Sequence, residues 1–219
     1  MPKCQSFLLI LSLFVLTSLN LPQQEVIRVA CVGDSITYGS GIENRDENSY
    51  PAQLQKMLGE GWDIHNFGVS GATMLKQGNK PFWELEAFQQ AMQLEPDVVI
   101  IKLGTNDSKP QNWEYGEEYE SDYRDMIQQF KKLDSQPDIW ICLPAPVFED
   151  RFGITASVVD NEILPIVRQV RRTEKVKMIN LYRPLKNKAS MFPDGIHPDA
   201  QGARVIAETI AKKLKKAAS

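Results

Sequence analysis

From residue 25 onward, short apolar runs alternate with longer amphipathic stretches along the chain. Five runs predict strands, and the clearest are rich in β-branched residues, as strands buried on both faces of a sheet are; the runs cover residues 27–32, 63–69, 98–103, 139–143 and 177–181. Helices are predicted over residues 51–58, 83–94, 117–133, 158–172 and 200–215, with a kink or break at Pro165. Strands that alternate with helices form βαβ units. The sequence therefore predicts one α/β domain over residues 25–219, a doubly wound, five-stranded parallel sheet with helices on both faces.

Residues 1–20 follow a different pattern. Lys3 precedes an apolar run over residues 7–16, and a mixed segment follows at 17–20. A positively charged start with an apolar stretch too short to span a bilayer is typical of a secretory signal peptide. We therefore expect residues 1–20 to be a signal peptide with an undefined cleavage point, and the protein to be periplasmic or secreted. An uncleaved membrane anchor is the alternative.

Charge and motif content narrow the classes of partner. The net charge is −3 and the charged residues are interspersed, so no basic face indicates a nucleic-acid partner. The chain has two histidines and no His, Cys or carboxylate spacing typical of zinc, so we expect no metal. It lacks the G-x-G-x-x-G and Gly-Lys-Ser/Thr patterns of nucleotide sites. We therefore expect no cofactor, no nucleic acid and no stable membrane partner.

Polar segments lie where the predicted fold places its ligands. Segments 33–37, 66–71 and 104–107 each follow a predicted strand, and segment 194–198 precedes the last helix. In open α/β sheets, ligands bind outside the carboxyl ends of the strands. We therefore expect these segments to meet at one edge of the sheet.

The residues in these segments suit acyl transfer, which needs a nucleophile, a base, an orienting group and donors for the oxyanion. Ser35 follows a strand directly and is the candidate nucleophile. His197 is the candidate base, because an imidazole titrates near neutral pH. Asp194 precedes it by three residues, a spacing that lets the carboxylate orient the ring. The predicted oxyanion donors are the backbone N–H groups of Ser35 and Gly71 and the side-chain amide of Asn106.

At this point the chain resembles a known superfamily, the SGNH (GDSL) hydrolases. The resemblance rests on four blocks in the family's order and at similar spacing: Gly33-Asp34-Ser35, Gly71, Gly104-Thr105-Asn106-Asp107 and Asp194-Gly195-Ile196-His197. It implies a flavodoxin-like three-layer fold with strand order 2-1-3-4-5, and the same roles for the matched residues.

The implied strand order bears on the two cysteines that follow the signal peptide, Cys31 and Cys142. An exported protein invites a disulfide, and two buried thiols are the alternative. The order places the third strand between them, so their backbones would lie roughly 9–10 Å apart, whereas a disulfide needs Cα atoms within about 7 Å. We therefore expect two buried, reduced thiols.

The substrate is the least defined part of the prediction. Aromatic residues after the second, third and fourth strands either stack on sugar rings or pack loops; they are Trp83, Trp113, Tyr115, Phe148 and Phe152. We expect Trp83, Trp113 and Asp34 to contact the substrate. Segment 104–113 is similar to bacterial carbohydrate O-acetylesterases, including sialate O-acetylesterases, which favours removal of a short acyl group from a saccharide. The alternatives are a lysophospholipase or acyl-thioesterase, and a non-catalytic glycan-binding relative; turnover of p-nitrophenyl acetate separates the last from the enzymes.

Overall fold

A computed structural model describes residues 26–218. The predicted signal peptide lies outside the described residues and stays a prediction. Five strands pair in parallel in the order β2-β1-β3-β4-β5, which confirms the predicted fold class and order. Their bounds are β1 Ile27–Gly33, β2 Trp62–Gly68, β3 Val98–Lys102, β4 Asp138–Leu143 and β5 Lys177–Asn180.

The helices connect these strands and close the chain. They are α1 Ser35–Tyr38, α2 Arg45–Asn48, α3 Tyr50–Leu58, α4 Glu86–Gln93, α5 Pro110–Trp113, α6 Tyr119–Lys131, α7 Ala156–Val158, α8 Leu164–Glu174, α9 Tyr182–Leu185 and α10 Ala200–Ala218. Short 3₁₀ turns lie at Phe82–Glu84, Asn106–Ser108, Gly116–Glu118 and Ala189–Met191. Within the described residues, none of these helices is long and apolar enough to cross a membrane.

The sheet is buried on both faces, which explains its β-branched runs. Neighbouring residues Ile100 and Ile101 of β3 are both fully buried, yet they belong to different hydrophobic clusters. Ile101 packs in the cluster that contains residues of α4, α6 and α8. Ile100 packs in the cluster that contains residues of α3 and α10. Successive side chains of a strand point to opposite faces, so the protein has three layers.

Two predicted helices differ from the observed ones. The helix predicted over residues 83–94 is divided, because Leu85 has an extended backbone between a 3₁₀ turn and α4. The helix predicted over 158–172 changes from a π-helical segment, Val159–Ile163, to α8. Pro165 lies in the first turn of α8, where a residue without an N–H is tolerated. The short helices α2, α5, α7 and α9 were not predicted as separate elements, since a single turn shows no periodicity.

Cys31 and Cys142 lie on strands that β3 separates, and both thiols are free and fully buried. Burial raises the pKa of the Cys31 thiol to about 12, despite a hydrogen bond with Tyr50. Burial likewise raises the pKa of Cys142, so neither thiol has thiolate character at neutral pH.

Candidate active site

Ser35 begins α1, directly after the tight turn that follows β1. Gly33 makes the turn close, since a Cβ at this position would be 2.0 Å from Oγ1 of Thr37. Asp34 caps α1, and its carboxylate accepts the N–H of Ile36 at 3.0 Å. Ser35 is the first residue of the helix and is only 6% exposed. The turn therefore holds its hydroxyl at the carboxyl edge of the sheet.

Ser35, His197 and Asp194 form a hydrogen-bonded chain at this edge. The Ser35 Oγ lies 2.9 Å from Nε2 of His197, although 162 residues separate them in the sequence. The other ring nitrogen, Nδ1, lies 2.7 Å from Oδ2 of Asp194. A carboxylate only accepts hydrogen bonds, so Nδ1 is the donor in this pair, and in the neutral imidazole Nε2 accepts from the serine hydroxyl. This is the geometry that activates a serine nucleophile.

The Asp194 carboxylate is held in its charged form. Partial burial acts to raise the pKa of Asp194, but hydrogen bonds from the His197 backbone, the His197 ring and the Ile196 backbone outweigh it and lower that pKa. The two backbone N–H groups lie 2.7 and 2.9 Å from Oδ1. Asp194 is thus fixed in place while its second oxygen orients the imidazole.

The segment after β2 is pressed against α1. The Val69 N–H donates to the Gly33 carbonyl at 3.0 Å. A Cβ at Gly68 would lie 2.1 Å from the Tyr38 nitrogen, so only glycine fits this approach. These contacts bring the Gly71 segment beside the Ser35 turn.

The proposed oxyanion donors meet in this region. Gly71 has a φ of +84°, a backbone conformation that favours glycine. Within residues 26–218, the N–H groups of Ser35 and Gly71 have no protein acceptor. The Asn106 amide donates one N–H to the Ala72 carbonyl at 3.1 Å, which ties it to the residue after Gly71 and leaves its second N–H.

A buried carboxylate that received no role from the sequence braces the same segment. Asp107 accepts the N–H groups of Leu75 at 2.8 Å and Met74 at 3.1 Å. Burial raises the pKa of Asp107 to about 7, against the effect of these two donors. Asn112 adds a hydrogen bond to the Asn106 carbonyl at 2.8 Å. Asn106 is therefore held from both sides. The sequence signal for Asp107 was its place in the polar segment 104–107, which follows the third strand.

Residues 31–205, well over half of the chain, match the sequence profile of the GDSL-like Lipase/Acylhydrolase family. The chain belongs to this family.

Among the relatives of this acylhydrolase-family chain is an acetylxylan esterase from Xylanibacter ruminicola, which is 41% identical over 91% of the chain. The chain spans 45% of the length of that relative.

Solved structures share the fold of this family member. A carbohydrate acetylesterase from Sinorhizobium meliloti superposes with a TM-score of 0.71 at 20% identity, covering 87% of this chain and 99% of the other. An aryl esterase from M. smegmatis superposes with a TM-score of 0.72 at 16% identity, with the same coverage of each chain. A two-domain esterase active on acetylated mannans matches over 50% of its length, with 88% of this chain covered, 20% identity and a TM-score of 0.66.

The expectation that Asp34 contacts the substrate is corrected by its position. Its side chain is 0% exposed and pairs with Lys102, which is 1% exposed. The Lys102 ammonium lies 2.9 and 3.0 Å from the two carboxylate oxygens and 3.1 Å from Oγ1 of Thr105. Asp34 therefore supports the Ser35 turn from below. The sequence signal for this pair was a lysine within an apolar strand, since a buried charge needs a partner.

The two tryptophans that were expected to contact substrate pack against the core. The Trp83 indole donates to the Met74 carbonyl at 2.8 Å, and its ring lies against Phe88. The Trp113 indole donates to Glu162 at 2.9 Å. Both rings are half-buried against the cluster on the α6 side of the sheet. Their contacts thus favour the packing interpretation.

The aromatic ring that the structure places next to His197 is Phe152, with ring centroids 6.0 Å apart.

Among residues 26–218, no group of three or more His, Cys, Asp or Glu side chains could hold a metal ion.

Proposed function

We propose that this chain is a serine-dependent carboxylic ester hydrolase that removes acetyl groups from a saccharide. The observation that carries the proposal is the continuous chain Ser35–His197–Asp194, with hydrogen bonds of 2.9 and 2.7 Å. A pure glycan-binding module has no need of such a chain.

In the acylation step, the Ser35 oxygen attacks the ester carbonyl carbon and its proton moves to Nε2 of His197. The carbonyl oxygen takes the negative charge and receives hydrogen bonds from the Ser35 and Gly71 N–H groups and the Asn106 amide. The carbon–oxygen bond to the alcohol then breaks, and His197 returns the proton to the alcohol oxygen. An acyl-serine remains.

In the deacylation step, a water molecule takes the place of the alcohol. His197 accepts a proton from the water, whose oxygen attacks the acyl carbon. The bond between that carbon and the Ser35 oxygen breaks, Ser35 regains its proton from His197, and the acid is released. The Asp194 carboxylate stabilises the imidazolium in both steps.

The preference for a saccharide is supported by the name of the 41% identical relative, an acetylxylan esterase. A polymeric substrate of this kind would meet the enzyme outside the cytoplasm, in agreement with the signal peptide predicted for residues 1–20. The activity of the whole protein on a polymer such as acetylated xylan is included in this proposal.

The test compares Ser35→Ala, His197→Ala and the double variant on p-nitrophenyl acetate and acetylated xylan. Each single variant should lose several orders of magnitude in kcat, and the double variant should be little worse, because the residues act as a unit. His65→Ala is the matched control: it removes the chain's other histidine, which lies on β2 and whose ring nitrogen hydrogen-bonds to Asp63. Normal turnover by Ser35→Ala, or additive losses in the double variant, would refute the mechanism.

Acyl length is tested separately. Rates on p-nitrophenyl esters should fall from acetyl to butyryl to octanoyl. A preference for octanoyl would favour a lysophospholipase or acyl-thioesterase and contradict the short-acyl proposal.

A further inference from the structure

The loop between β4 and α7 carries a sharp turn at residues 151–154. The Ile154 N–H donates to the Arg151 carbonyl at 2.9 Å. The two central residues, Phe152 and Gly153, have φ values of +55° and +79°. Positive φ at both positions is typical of a tight hairpin turn, where Asn, Asp and Gly are preferred. A phenylalanine in this conformation is an outlier, and outliers of this kind cluster at functional sites.

The turn is anchored to the rest of the site. The Thr155 N–H donates to Oγ of Ser108 at 3.1 Å, and Ser108 donates to the Thr105 carbonyl at 2.8 Å. The carboxylate of Asp150 accepts the N–H of Ala156 at 2.8 Å. The loop is therefore attached to the segment that carries Asn106, so the turn keeps its place beside the catalytic edge.

Phe152 presents its ring to solvent directly beside His197. At 57%, it is the most exposed large apolar side chain in the part of the chain that the structure describes. Its ring centroid lies 6.0 Å from that of His197, with the planes tilted by 48°. The guanidinium carbon of Arg151 lies 5.2 Å from the ring centroid on the same surface. An exposed phenylalanine ring in a backbone conformation that is unfavourable for phenylalanine indicates that the ring binds a ligand.

The chemistry decides which half of the ester Phe152 faces. His197 must deliver its proton to the alcohol oxygen, so the alcohol has to lie within hydrogen-bond reach of Nε2. The acyl oxygen lies instead toward the donors Ser35, Gly71 and Asn106. A ring that flanks His197 is therefore on the alcohol side of the site.

We propose that Phe152 and Arg151 form the subsite for the sugar ring whose hydroxyl carries the acetyl group. This inference rests on the proposed function. A pyranose has a face of C–H groups that packs on an aromatic ring such as that of Phe152. Its hydroxyls accept hydrogen bonds from guanidinium N–H groups, of which Arg151 has five. A lipid alcohol would need a continuous apolar wall, whereas Glu149, Asp150 and Arg151 precede the ring as exposed charged residues. Phe152 is thus a specificity-determining residue.

The test measures Phe152→Ala, Phe152→Leu and Phe152→Tyr on an acetylated xylo-oligosaccharide and on ethyl acetate. Alanine and leucine should raise KM for the oligosaccharide about tenfold, the value of one lost aromatic stacking contact, with kcat little changed. Tyrosine should retain the wild-type KM. None of the three should alter kcat/KM for ethyl acetate, whose alcohol is too small to reach the ring. Tyr115→Ala, at an exposed aromatic outside this loop, should leave both substrates unaffected.

Three results would overturn the subsite. Equal losses on ethyl acetate would mean that Phe152 acts only by packing His197. A leucine variant as good as wild type would exclude stacking, and a changed ratio of acetyl to butyryl rates would place the ring on the acyl side. In each of these three cases the proposed esterase function still stands if turnover depends on Ser35. Ser35-independent turnover of both substrates would instead remove the proposed function itself.

Discussion

Replacing Lys102 with methionine tests the buried ion pair beneath the nucleophile turn. The Lys102 and Asp34 side chains are 1% and 0% exposed. Methionine keeps most of the lysine stem but removes the ammonium, which leaves the Asp34 carboxylate with the Ile36 N–H as its remaining hydrogen-bond donor. Within residues 26–218, the buried negative charge then has no counter-charge in contact.

The magnitude follows from burial. Breaking a buried pair by removing one partner costs about 3–5 kcal/mol. Against a typical free energy of unfolding of about 5–15 kcal/mol, this loss is large. Adding Asp34→Asn should recover about 2 kcal/mol, because the second substitution removes the orphaned charge and asparagine still caps α1.

Lys177→Met is the matched control. Lys177 and Asp138 lie closer, at 2.6 Å, but their side chains are 47% and 39% exposed. Solvent screens this pair, so its loss should cost about 1 kcal/mol or less. The comparison separates the effect of burial from that of distance.

The assay is urea unfolding followed by tryptophan fluorescence, with linear extrapolation to water. Equal losses for Lys102→Met and Lys177→Met would refute the reasoning. So would a double variant of Lys102 and Asp34 that is less stable than Lys102→Met alone.

Asn106→Ala should lower kcat on p-nitrophenyl acetate by a factor of about 10²–10³, because an oxyanion donor is lost. An unchanged kcat would mean that Asn106 does not donate to the oxyanion. Without residues 1–20, the chain should release the two thiols of Cys31 and Cys142 to Ellman's reagent after denaturation without reductant, and few before it; no free thiol would indicate a bridge. Burial acts to raise the pKa of Glu174, but hydrogen bonds from three side chains of α6 outweigh it and lower that pKa. The interactions of the Glu174 carboxylate therefore stabilise the folded protein at pH values above the ordinary carboxyl pKa. This stabilisation is lost as pH falls through the folded-state pKa of Glu174. Glu174→Gln should cost about 1 kcal/mol at neutral pH, and urea unfolding near pH 3 should show a smaller difference; a constant difference would contradict the ionic origin.

The sequence by itself determined the sheet and the sites where chemistry is concentrated. In runs such as 98–103, apolar residues occupy nearly every position. A strand needs apolar side chains on both of its faces only when both faces are covered. Ser35, Gly71, Asn106 and His197 belong to short segments whose residue types and order are readable locally. Their meeting followed from the parallel topology, because the carboxyl ends of parallel strands share an edge.

Tertiary structure alone decided which side chains support the site and which face the solvent. Lys102 and Asp34 are 68 residues apart, so no local pattern pairs them. The indoles of Trp83 and Trp113 suit a sugar ring and a hydrophobic core equally, and only the surrounding helices show that they pack. Phe152 is adjacent to His197 because a turn in one loop meets a turn before α10. Burial and contact across the fold are properties of neighbours distant in the chain, and this is why sequence patterns leave them undetermined.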